Sequence, residues 1–402
     1  MRLPAALLLG GDQIAVSAAR SIAALDVEIH AVGLNDAPIQ SSRVCSSFTM
    51  IPGGPGLSDR YLDWLERGPR GAVLLPCDDE SLEVVARHRR TLEGWGYHPI
   101  EADDDVVLAM LDKERTYALS RAAGVPTPMT MTLGTRRDAE EATQTFKFPC
   151  ALKPRTSHPF AQRVGISTKA YVAHDAEELM HWFDVAGDLG IEMLVTEIVP
   201  GDDEAFCSYY SYFLPDGSPL FHLTKHKLRQ FPIGFGLTCY QETVWEPAVA
   251  EMGLRFCQAV GLRGVANVEF KRDARKGAWK IIECNPRFTR ANELVRLAGI
   301  DIPAIAYRRV AGLEVEPLRG YRLGVRMWSP IEDAQAFLRY RTARKLTFAG
   351  WVRSLLCRWH FPVWRLDDPI PTLRVLICFR SRMVTRGLLR RFRERIGGGA
   401  GA

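Results

Sequence analysis

A chain of 402 residues, 47% hydrophobic and 25% charged, has an ordinary globular composition and length for two or three domains, which excludes disordered and fibrous classes. Nine cysteines without paired ligand spacing read as reduced thiols in a cytoplasmic protein, and not as a disulfide framework or zinc site. The net charge of +5 is uneven, since Arg339 to the end holds 15 Lys/Arg against 3 Asp/Glu and the remainder is acidic.

Pro4 to Leu9 predicts a first strand, closed by a turn at Gly10-Gly11-Asp12, and is too short for a secretory leader. Ile14 to Leu25 predicts an amphipathic helix, Val27 to Val32 a strand, Ala72 to Leu75 another, and Glu80 to Leu92 a helix. Such alternation implies a parallel, doubly wound sheet. Gly10-Gly11 lacks a full Gly-x-Gly-x-x-Gly, so the signal for a dinucleotide is weak. Asp78 and Asp79 stand at a strand's C-terminal end, where such sheets place ligands, although a helix N-cap accounts for them more simply.

Asp112-Lys113 opens a helix through Ala122, stopped by Gly124 and the prolines Pro126 and Pro128. Lys153 ends the apolar run Phe148 to Pro154, and a lone ammonium there requires an anionic partner. Asn267-Val268-Glu269-Phe270 and the stretch Ile281 to Arg287 alternate faces as strands. The polar residues Lys271 to Gly277 between them read as a turn, so the two form a hairpin. Glu269, Glu283 and Asn285 then converge, and two carboxylates with an amide oxygen suit Mg2+, a hard ion that shares its shell with phosphates. Arg287 fits as a phosphate clamp. A solvent-facing hairpin edge with ordinary charges stays open as the alternative.

The basic tail carries Trp351, Trp359, Phe361, Trp364, Phe379 and Phe392, and its end, Arg380 to Ile396, reads as a basic helix. A packed C-terminal subdomain with a solvated basic face is the preferred reading, and peripheral contact with an anionic membrane surface is the alternative. No nucleic-acid motif accompanies the charge, so nucleic acid is not expected. No run of residues approaches the ~18 to 20 apolar positions needed to cross a bilayer.

The order of Lys113, Lys153, a Glu-containing hinge and Glu283-x-Asn285 resembles the ATP-grasp superfamily over roughly residues 1–312. That resemblance implies mixed α/β and α+β architecture with four parts: a Rossmann-like domain (1–105), a small ATP-grasp subdomain (106–195), a large one holding the metal site (196–312), and a basic C-terminal extension (313–402). It implies that Lys113 and Lys153 contact the nucleotide, and that the backbone at Glu197 and Val199 holds adenine. It implies that Asp203 or Glu204 holds the ribose, and that Glu269, Glu283 and Asn285 bind Mg2+, for which Mn2+ can substitute. Arg287, with Lys225 or Arg229, would act on the transferring phosphoryl or the carboxylate, and Arg290 and Asn292 would face the acceptor. The loop 155–169 departs from the usual Gly-rich pattern and resembles that of D-aspartate ligase-like members, with Arg155, Ser157 and Arg163 offered as a lid on the phosphates. The implied activity is an ATP-dependent ligase joining a small-molecule carboxylate to an amine through an acyl phosphate; a homodimer is compatible with it. A carboxylase or kinase-like enzyme, or a nucleotide-binding regulator without turnover, is the alternative.

Overall fold

The computed structural model describes residues 3–10, 12–165, 168–316, 318 and 320–377. The basic helix read over Arg380 to Ile396 lies outside the described residues.

Three sheets organise the chain. The first holds five parallel strands, β1 (Ala6–Leu9), β2 (Ile29–Gly33), β3 (Ser47–Met50), β4 (Val73–Pro76) and β5 (His98–Pro99), in the order β3-β2-β1-β4-β5. Strands β1 and β4 are buried on both faces, which is why they read as continuous apolar runs. Helices α1 (Gln13–Ala23), α2 (Leu57–Arg67) and α3 (Asp79–Gly94) cover the sheet. Asp12 caps α1 by accepting from the Ile14 N–H at 2.9 Å, and Asp78 caps α3 through a reciprocal box with Ser81. Gly10 has φ +88°, and a Cβ there would meet the Asp78 carboxylate at 2.2 Å, so only glycine lets the end of β1 approach that cap.

Helices α4 (Asp104–Leu111) and α5 (Lys113–Ala122) lead to the second sheet. It is antiparallel and contains β6 (Thr130–Leu133), β7 (Cys150–Pro154), β8 (Tyr171–Ala173) and β9 (Met193–Glu197), ordered β6-β9-β7-β8. Helices α6 (Arg136–Thr145), α7 (Ser157–Val164) and α8 (Ala176–Asp188) accompany it.

The third sheet has seven strands: β10 (Phe206–Phe213), β11 (Leu223–Phe231), β12 (Leu237–Val244), β13 (Gly264–Arg272), β14 (Trp279–Asn285), β15 (Arg326–Trp328) and β16 (Trp359–His360). Its order is β14-β13-β10-β11-β12-β15-β16. The helices α9 (Pro247–Ala259), α10 (Asn292–Ala298), α11 (Ile302–Val310), α12 (Pro330–Thr342) and α13 (Phe348–Ser354) belong to this half. The boundary expected after residue 312 therefore divides one sheet, because β15 and β16 extend it through residue 360. Helices α10 and α11 share a core with α1 and the first sheet, through Val295, Ile305 and Tyr307 against Ile14, Ala18 and Ala6. No described helix is long and apolar enough to cross a membrane.

Candidate active site

The three sheets converge on a cavity of about 1080 Å³. Lys113, Lys153, Glu197, Val199, Asp203, Lys225, Glu269, Glu283, Asn285, Arg287 and Arg290 all line it.

The hairpin supplies the acidic wall. Glu269 on β13 and Glu283 on β14 are direct register partners, and Asn267 opposes Asn285 in the same way. Asn285 Nδ2 donates to Glu283 Oε1 at 3.0 Å and Lys227 Nζ lies 3.0 Å from Glu269 Oε2. Burial opposes ionisation of Glu283, but the Asn285 hydrogen bond and the charges of Lys113, Lys169 and Lys227 hold its pKa below the ordinary value. Two carboxylates beside an amide oxygen form an all-oxygen donor set, which fits a hard divalent cation. Among the described residues no cluster of three His, Cys, Asp or Glu side chains offers a softer site.

Cations form the opposite wall. Lys113 is the first residue of α5, placed there because Asp112 caps the helix, and its ammonium donates to Ser157 Oγ at 2.7 Å. Lys153 projects from β7 with its Nζ 6.0 Å from the Phe235 ring centroid. Loss of water pushes Lys153 down to about 8, and the charge of Lys113 adds to this. Burial likewise brings Lys225 down to about 8. Arg287 donates to Asp79 Oδ1 at 2.5 Å and to Asn285 Oδ1 at 3.3 Å, so it bridges the N-terminal sheet and the hairpin. Arg290 makes a parallel link to Asp12 at 3.1 Å.

The hinge runs from β9 into residues 198–203. The Glu197 N–H donates to Met129 O at 2.9 Å and its carboxylate pairs with Lys280. Pro128, Ile198, Ile282, Phe235 and Leu237 supply apolar walls beside it.

Several expected residues lie elsewhere. Arg229 is turned out of the cavity and held by Asp333, with Nε 2.5 Å from Oδ1 and Nη2 3.0 Å from Oδ2. The cause is a bulge in β11, whose register shifts on both sides of Arg229. Glu204 is exposed and Asn292 faces inward at the start of α10, accepting from the Thr289 N–H at 3.2 Å; neither lines the cavity. Arg155 pairs with Asp112 at 2.8 Å and Arg163 donates to Gly190 O at 3.0 Å, and neither lines the cavity; among the described residues of 155–169, Ser157, His158, Ala161, Gln162 and Lys169 do. The turn expected to begin at Lys271 starts later, because Lys271 pairs with Lys280 in the ladder and faces the cavity.

Lys227, Lys271, Tyr340 and Lys345 are lining residues that the sequence reading missed. Period-two alternation from Lys225 would have found Lys227. Tyr340 and Lys345 arrive through packing of α12, for which the sequence carries no local signal.

The family described as "Carbamoyl-phosphate synthase L chain, ATP binding domain" matches residues 245–317, which include the hairpin. In solved structures, the biotin carboxylase domain of Hydrogenobacter thermophilus 2-oxoglutarate carboxylase, determined with MgADP, ADP and bicarbonate, superposes with a TM-score of 0.63 at 19% identity. That match covers 81% of this chain and 74% of the other. Among curated proteins, a D-aspartate ligase of Enterococcus faecium (strain Aus0004) is 25% identical over 57% of this chain and 56% of its own length. In fold and in these partial sequence matches the chain is similar to ATP-grasp proteins. It is also similar to a D-alanine--D-alanine ligase of Stutzerimonas stutzeri (strain A1501), 28% identical over 52% of the chain and 62% of the relative. It thus spans less than two thirds of the length of the curated relatives it matches.

Proposed function

We propose that this chain is an ATP-grasp enzyme, an ATP-dependent ligase that activates a carboxylate as an acyl phosphate, joins it to an amine, and releases ADP and phosphate. The observation that carries the reading is the cavity in which Glu269, Glu283 and Asn285 face Lys113 and Lys153. The names of the two ligases to which the chain is similar support the amide-forming outcome.

In this reading Lys113 and Lys153 neutralise nucleotide phosphates, and the Glu197–Val199 backbone with its apolar walls receives the base. Glu269, Glu283 and Asn285 hold Mg2+, which when bound neutralises phosphate charge during transfer. Mn2+, another ion suited to oxygen ligands, would substitute. A carboxylate oxygen bonds to the γ-phosphorus as ADP leaves; the amine nitrogen then bonds to the acyl carbon, phosphate leaves, and the nitrogen gives up a proton. Arg287 is aimed by Asp79 at the transferring group, while Lys225 and Arg290 orient the anionic substrate. Positioning and charge neutralisation account for most catalysis of this kind, so no protein nucleophile is required.

The test is ADP release with Mg-ATP across panels of D- and L-amino acids and other carboxylic acids. ADP and phosphate formation that needs both a carboxylate and an amine is the expected result. Bicarbonate-dependent turnover would favour the carboxylase alternative, and tight nucleotide binding without turnover would favour the regulator.

A further inference from the structure

Asp203, at the hinge, is not an open carboxylate. Its Oδ1 accepts from Gln230 Nε2 at 2.6 Å and from the Gly234 N–H at 3.2 Å, and its Oδ2 accepts from the Tyr340 hydroxyl. Asp203, Gln230 and Tyr340 are all buried. A carboxylate offers about four acceptor positions, and protein donors fixed on three separate segments already fill most of them. One donor belongs to β11, one to the segment 231–236, and one to α12, which lies beyond the part of the chain that carries the ATP-grasp resemblance.

The segment so tied forms a wall of the cavity. Ile233, Gly234, Phe235 and Gly236 line it, and Phe235 sits over Lys153. Helix α12 is itself anchored, since Asp333, seven residues before Tyr340 and on the same helical face, receives Arg229 and the indole N–H groups of Trp328 and Trp351 at 2.9 and 2.8 Å. Lys345, just after α12, lines the cavity and pairs with Asp202 of the same hinge.

Resting on the reading of this cavity as a nucleotide site, we infer that Tyr340 is a positioning residue: its hydroxyl fixes Asp203, and Asp203 holds the 231–236 wall against the nucleotide. The C-terminal segment thereby completes the nucleotide half of the site, and Asp203 acts through protein contacts instead of through a ribose hydroxyl. A buried, nearly satisfied network loses most when one donor is removed, because the remaining charge is left short of partners.

The test is nucleotide affinity of the full chain with Tyr340→Phe, which removes the donor and keeps the ring. ATP and ADP titrations should show binding weakened by about tenfold or more, with KM for ATP rising while kcat at saturating nucleotide stays near wild type. Adding Tyr340→Phe to Asp203→Asn should cost little beyond Asp203→Asn alone, as expected for two groups in one network. Leu338→Ala, at an exposed site on the same helix, should leave affinity unchanged and controls for general damage to α12. Wild-type affinity in Tyr340→Phe, or an equal loss in Leu338→Ala, overturns the inference alone. A wild type that binds no nucleotide overturns the proposed function together with it.

Discussion

Glu269 and Glu283 are direct partners on adjacent antiparallel strands, and Lys227 reaches Glu269 at 3.0 Å. Like charges directly opposite one another destabilise a ladder. Here lysines from β7, β11 and α5 surround the pair, and a bound divalent cation would relieve the repulsion further. The pair therefore makes sense as a site maintained for binding.

Glu283→Gln and Asn285→Ala should each lower ADP release by at least ~100-fold, a figure in line with removal of one electrostatic stabiliser of a transferring group. Neither should unfold the chain, and Glu283→Gln should remove the carboxylate repulsion. Steady-state ADP release and thermal melting decide it. Wild-type turnover in both variants would remove the metal assignment.

Lys153→Met should weaken ATP binding by about tenfold, or 1.4 kcal/mol. The pH dependence has a definite sign. Burial first, then the Lys113 charge, brings Lys153 from an ordinary 10.5 down to about 8. Between about 8 and 10.5 the unfolded chain holds this proton more firmly than the folded one, so the group's contribution to stability rises with pH there and is lost as pH falls through about 8. Phosphates reverse the preference by favouring the ammonium, so nucleotide affinity should fall as pH rises through about 8, with proton uptake on binding accompanying that fall above about 8 and absent well below it. Calorimetry in buffers of different ionisation enthalpy measures the uptake. An uptake unchanged in Lys153→Met would assign it to other groups, Lys225 first among them.

Much of the site was readable because alternation survives in it. The hairpin fixes Glu269, Glu283 and Asn285 by period two, and the Asp112 cap fixes where Lys113 begins α5. Legibility failed where a bulge broke the period, as at Arg229, which exchanged its expected place for a bond to Asp333. It failed again where partners are distant in sequence: Tyr340 meets Asp203 across 137 positions. Strands of three and two residues, β15 and β16, are too short to show any period, so the C-terminal part of the third sheet read as an extension.

Asp79→Asn tests the link between the N-terminal sheet and the hairpin. Burial would raise the Asp79 pKa, but the charge and hydrogen bond of Arg287 bring it to about 2. Its contribution to stability is therefore complete above 3.8 and lost as pH falls towards about 2. Neutralising it should cost ~1 to 3 kcal/mol of stability, because Arg287 keeps its charge in a half-buried site. Turnover should fall with it, since Arg287 loses the partner that aims it. Acid melting curves and kcat together test this. A variant with wild-type acid sensitivity and kcat would reduce the ion pair to a surface contact.

Arg229→Ala separates structure from chemistry at the position where the bulge changed the outcome. The Arg229–Asp333 pair is buried, with side-chain exposures of 7% and 0%. Removing the guanidinium leaves Asp333 with the two indole donors, the weak Cys239 thiol donor and an uncompensated charge, a change that typically costs about 3 to 5 kcal/mol. It also removes the hydrogen bond to Ser354 Oγ at 2.9 Å and the stacking of the guanidinium 4.5 Å from the Tyr240 ring centroid. The melting midpoint should drop by several degrees at every nucleotide concentration. Arg229→Ala/Asp333→Leu, which takes out both charges and restores apolar volume, should recover much of that loss. Because Arg229 does not reach the cavity, protein that remains folded at low temperature should keep kcat within about threefold of wild type, less than ~1 kcal/mol in the barrier. A far larger fall in kcat at full folding would return Arg229 to the reacting centre.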